Sequence, residues 1–137
     1  MLTLVGADLL GGAVANASIP TKRWYQPPGQ GFRQHLGFTS IHVLYVALLG
    51  WLFRDLDLFY ILWVSLALMG SAVAVLRAPL RLCRPLAAGL VAAAAVAGAL
   101  TGPPALAWFL PVLWLKLIGG HAVRMMVASE ASGTKEG

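Results

Sequence analysis

Charge and cysteine are what this chain has least of. Only 11% of its 137 residues are charged, and Cys83 is the one cysteine. A water-soluble domain carries charge at about a quarter of its positions, so this composition excludes an ordinary soluble globule. A lone cysteine excludes an internal disulfide and a thiol-ligated cluster within one chain. Carboxylates are also few, and Asp8 is the one inside an apolar run, which excludes a paired-carboxylate acid–base site in a single copy. There is no HExxH, no glycine-rich phosphate loop, no nucleophile elbow and no CxxC, and their absence points away from an enzyme of those classes. Nor is any internal repeat present, although GG recurs at 11–12 and 119–120.

Apolar sequence is abundant, with 59% hydrophobic residues and a mean hydropathy of +0.78. A helix that crosses a bilayer needs about 20 mainly apolar residues, and five runs approach that length: 1–19, 34–53, 57–76, 85–101 and 104–127. The expected fold is therefore all-α. It is a polytopic membrane protein of about five transmembrane helices, four if the first is not a stable span. Residues 1–129 make a single bundle and 130–137 a polar tail. The first run resembles a secretory signal only at AVANAS; it lacks a basic leading region and carries Asp8 in what would be the apolar core. The fourth, PLAAGLVAAAAVAGALT, opens with Pro85, which suits a first helical turn, and closes at Gly102, Pro103 and Pro104.

The net charge of +5 does not form a basic stripe, so nucleic acid is not an expected partner; the lipid bilayer is. With five spans, Lys22, Arg23, Arg33, Arg77, Arg81, Arg84, Arg124 and Lys135 fall on one side, and the other side has Arg54 offset by Asp55 and Asp57. The positive-inside rule then places the N-terminus outside and the C-terminus in the cytoplasm. The expected location is a cell membrane, of the kind that bounds a bacterial cytoplasm. RDLD at 54–57 leaves room only for a tight hairpin. The longer connection, IPTKRWYQPPGQGFR, places Trp24 and Tyr25 among basic residues, as interfacial anchors do.

Ionisable groups inside a span cost about 2.5–3.5 kcal/mol on insertion scales, so each is a candidate for function. Helical spacing aligns Asp8, Gly12 and Asn16 on one face of the first run. In the second it aligns His35, Thr39 and His42, with Tyr45 extending the row, and in the fifth Lys116, Gly120 and Arg124, with His121 adjacent. At about 1.5 Å per residue, Asp8 lies about 10 Å and Lys116 about 18 Å from the outer surface. Each needs a partner there, and the opposite charges are the obvious pair. Gly11, Gly12, Gly119 and Gly120 would let the two helices approach closely. Asn16, His42 and His121 fall in the cytoplasmic half. Arg124 and His35 are expected at the interface, where a long or amphipathic side chain reaches headgroups.

Three functions fit this pattern. The first is a small transporter, channel or proton-coupled carrier in which Asp8, Asn16, His42, Lys116 and His121 line a polar path, with a homo-oligomer supplying the volume that five short helices lack. The second is an accessory or assembly subunit of a larger membrane complex, whose polar stripes are packing glue. The third is a redox subunit in which His42 and His121 hold a haem or a metal; the other two readings need no cofactor.

Overall fold

The structure, a computed structural model, describes residues 2–25 and 31–123. Its helices are α1 (Leu2–Ala17), α2 (Ile19–Tyr25), α3 (Phe32–Ile41), α4 (Val43–Phe53), α5 (Leu58–Arg77), α6 (Leu80–Thr101) and α7 (Phe109–Trp114). A 3₁₀ turn, Pro104–Leu106, leads into α7, and a π-helical segment, Leu115–Ala122, continues it. There is no strand among the described residues.

Among the described residues four helices are long and apolar enough to cross a membrane: Phe32–Phe53, Leu58–Arg77, Leu80–Thr101 and Pro104–Ala122. Four of the five expected runs are thus matched by helices of spanning length, and the first is matched by a shorter apolar helix. α1 has 16 residues and at about 1.5 Å per residue rises about 24 Å, short of the about 30 Å of a hydrocarbon core. Arg124, the end of the 104–127 run and the tail 130–137 lie outside the described residues.

The span Phe32–Phe53 is made of two helices, and the break has an atomic cause. The ring of His42 bonds through Nδ1 to Phe38 O at 2.9 Å, the carbonyl that its own backbone N–H would take in a regular helix. That N–H turns instead to Thr39 O at 3.1 Å. Thr39 Oγ1 likewise donates to His35 O at 3.0 Å. Side chains that enter the i→i−4 ladder in this way bend helices. α6 also departs from the expected start at Pro85. Pro79 caps it, its carbonyl taking Leu82 N and Cys83 N at 2.8 and 3.2 Å. Pro85 then stands inside the helix, where its missing N–H removes one ladder bond. Arg81 and Arg84 consequently ride on the first turns of α6.

The hairpin between α4 and α5 is as tight as its sequence requires. Asp55 and Leu56 adopt left-handed φ values of 48° and 58°, and Asp57 caps α5 by accepting Tyr60 N at 2.9 Å. Arg54 ties the hairpin to the end of α6, donating to Thr101 O at 2.6 Å and pairing with Asp57 at 3.0 Å. Along α5, Tyr60, Val64, Leu68, Ala72 and Val75 are buried at helical spacing, while Phe59, Leu62 and Leu66 face outward. At the centre stands the last span, whose Phe109, Leu110, Leu113, Trp114, Leu117 and Ile118 are all buried. α1 packs along its π-helical part, and the other spans close round the remaining sides.

A candidate polar cleft between α1 and the α3–α4 span

Because the last span lies at the centre, its polar residues are enclosed by neighbours. Lys116 points at α1, where its Nζ lies 2.7 Å from Asp8 Oδ2 and 3.5 Å from Asp8 O. The two charges are unequally sheltered: the Lys116 side chain is 6% exposed and that of Asp8 49%. Gly12 is what admits the lysine, since a Cβ there would run into Lys116 Cε and would stand 2.9 Å from its Nζ. One turn on, a Cβ at Gly120 would come within 2.9 Å of Asn16 Cβ, and Asn16 Nδ2 donates to Lys116 O at 3.3 Å. Gly12 and Gly120 are therefore the close-approach glycines. Gly11 has open space in front of it, and Gly119 faces Leu115 and Val91.

Tyr45 of α4 reaches across and donates its hydroxyl to Asp8 Oδ2 at 3.0 Å. One carboxylate oxygen thus accepts from both an ammonium and a phenol, and Oδ1 has no partner among the described residues. Around this group is a cleft of about 520 Å³ between α1 and the α3–α4 span, lined by Asp8, Asn16, His42, Tyr45 and Lys116. Ile41, Leu44 and Phe38 complete the wall on the α3–α4 side. With Nδ1 held to the Phe38 carbonyl, a neutral His42 carries its proton there and keeps a lone pair on Nε2. Nε2 has no partner among the described residues, and His42 lies close enough to Asp8 and Lys116 to feel both charges.

His121 does not join this group directly. Its Nε2 lies 3.0 Å from His35 Nδ1, so one ring donates and the other accepts. His35, expected at the interface, is instead 6% exposed and packs edge-on against His121, their centroids 4.8 Å apart. The reason is the bend after Thr39 and the central position of the last span, which together turn α3 inward. Phe38 lies against both the His42 and the His121 ring, at 4.9 and 4.3 Å. Of the two expected haem or metal ligands, His42 and His121, the latter has its Nε2 against His35. Among the described residues no group of three or more His, Cys, Asp or Glu side chains converges as a metal site.

Of the anchoring residues, Trp24 is 74% exposed at the end of α2, and Tyr25 closes the same helix. Tyr45 is the cleft residue that spacing alone placed only as the end of a histidine row; its hydroxyl-bearing ring beside a buried charge is the signal that singles it out. Comparison of the chain with protein-family models, with characterised proteins and with solved structures finds no match.

Proposed function

We propose that this chain is a small multi-pass membrane protein, with its C-terminus cytoplasmic and its N-terminus outside because the bilayer thins around the 16-residue α1, and that it moves protons or couples their movement to a solute through the Asp8 cleft. The observation that carries this reading is the presence, in one cleft, of two groups able to take up a proton: the Asp8 carboxylate with its unused Oδ1 and the His42 ring with its open Nε2. The cleft presents acceptors. Among the described lining residues the cation is Lys116, which lies beneath Gly12 with its charge turned to Asp8. A proton on Asp8 removes the counter-charge of a buried ammonium, and a change of that size inside a low-dielectric bundle favours a second arrangement of α1.

The cleft opens sideways, with exposed Ile41 and Leu44 on its rim. A closed path needs a further wall, and a second copy of the chain supplies one under ordinary two-fold symmetry. The test is proton flux in liposomes, with a pH dye inside and a potassium diffusion potential across the membrane. Wild-type protein should acidify or alkalinise the lumen according to the sign of the potential, and Asp8→Asn and His42→Gln should each lower the rate at least about tenfold. Folded, inserted protein without flux, with or without a second solute, would end this reading in favour of an accessory subunit whose cleft receives a partner's helix. A purified protein with a Soret band lost in both His42→Ala and His121→Ala would replace it with the redox reading.

A further inference from the structure

On the opposite face of the last span from α3, a second groove of about 600 Å³ runs between α6 and the π-helical segment. Its floor is made of small or apolar side chains, Ala88, Val91, Ala92 and Ala95 from α6 and Leu115 and Gly119 from the last span. Lys22 and Arg84 line one end of it. Ala88, Ala92 and Ala95 are exposed. From Arg84 to Ala95 the helix rises about 16 Å at about 1.5 Å per residue, close to the about 15 Å of one leaflet of the hydrocarbon core.

The basic end carries the second observation. Lys22 donates to Val123 O at 3.2 Å, which holds its ammonium over the mouth of the groove. Among the described residues neither Lys22 nor Arg84 has a carboxylate partner; the ion pairs there are Arg54–Asp57 and Lys116–Asp8. Burial, and then the like charge of Arg84, pull the Lys22 pKa below its ordinary value, as expected of two cations that share a site without an anion.

We infer that this groove is a binding site for one anionic phospholipid of the cytoplasmic leaflet, its phosphate held between Lys22 and Arg84 and one acyl chain laid along the alanine floor. Charge complementarity selects the headgroup, and the length of the floor selects a lipid over a free anion, which would use the mouth alone. Basic pockets between membrane helices on the cytoplasmic side bind anionic headgroups for the same reason. The inference needs the bundle to lie in a bilayer but not the proton movement proposed above.

Native mass spectrometry of the detergent-purified full chain, titrated with phosphatidylglycerol or phosphatidylcholine of equal chain length, tests it. One phosphatidylglycerol adduct should be preferred by about tenfold. The double variant Lys22→Gln/Arg84→Gln should abolish the preference, and the control Arg33→Gln, at the same end but outside the groove, should keep it. Ala92→Phe, which fills the floor from an exposed position, should weaken both lipids. Equal adducts of the two lipids, an equal loss in Arg33→Gln, or full competition by glycerol phosphate would each overturn the site, the last by showing that an anion alone suffices. Release of the chain from membranes by alkaline carbonate would overturn the membrane reading together with it, whereas retention with equal adducts overturns the lipid site alone.

Discussion

At the residue scale, the Asp8–Lys116 pair is asymmetric, and the asymmetry predicts unequal mutants. Lys116→Met leaves Asp8 with the Tyr45 hydroxyl and an open cleft, so its cost should be small, about 1 kcal/mol. Asp8→Asn leaves an ammonium that is 6% exposed with neutral acceptors alone, the backbone carbonyl at 3.5 Å and the new amide oxygen, in place of a carboxylate. Its cost should be about 2–3 kcal/mol, less than the about 3–5 kcal/mol of a fully buried pair because Asp8 is half exposed. The double variant should lie well below the sum, and melting in detergent is the measurement. Additive losses would show that the charges are uncoupled. Gly12→Ala should disturb the same lysine while Gly11→Ala, which meets nothing, should not. The contact between opposite charges is legible in the sequence because a charge in an apolar run needs a partner and only one carboxylate lies in such a run. The glycine roles are not, since spacing makes neighbours of Gly11 and Gly12 and packing alone separates them.

At the element scale, the α4–α5 hairpin and the last span carry the local departures. Leu56 holds φ at 58°, and its backbone N–H closes the turn on Gly50 O at 3.0 Å. A leucine in that region costs about 1–2 kcal/mol relative to a residue without a Cβ. Since its side chain is 51% exposed, Leu56→Gly should raise stability by about 1 kcal/mol, seen as a higher melting temperature; an unchanged or lower one would mean that the leucine side chain makes up the difference elsewhere. The π winding of Leu115–Ala122 was hidden for a different reason. Helical stripes drawn at about 100° per residue assume i→i+4 bonding, whereas i→i+5 closure turns each residue through less. Lys116 and Gly120 still meet α1, but His121 swings to α3 and finds His35. Neither that winding nor the His42 bend has a signature in apolar periodicity.

For the whole molecule, basic residues gather at one end. Lys22, Arg33, Arg77, Arg81 and Arg84 stand where α1, α5 and the last span finish and α3 and α6 begin, joined by the Lys22–Val123 bond and by Arg77 over the Phe32 ring at 5.2 Å. Arg54, Asp57 and Thr101 meet at the other end. A reporter fused after Gly137 should therefore read cytoplasmic and one inserted at Asp55 external. The reverse would overturn the orientation. Reporters on the same side would leave an odd number of crossings between them unsupported, with the last two helices the first to re-examine.

Composition and hydropathy by themselves determined the helical class, the approximate placement of the long apolar helices, the tight RDLD hairpin and the concentration of basic residues at one end. These follow from terms that act on each segment separately: the transfer of apolar side chains, the loss of N–H at proline and the cost of charge in hydrocarbon. Only the tertiary structure decided that His121 hydrogen-bonds to His35, that Gly12 and Gly120 but not Gly11 lie at the close contact, that Asp8 remains half open to a cleft, and that Lys22 and Arg84 share the mouth of a groove. Each depends on which neighbour a side chain finds once helices bend and pack. A periodicity of 3.6 cannot carry that information where the backbone ladder itself is broken at His42 and widened after Trp114.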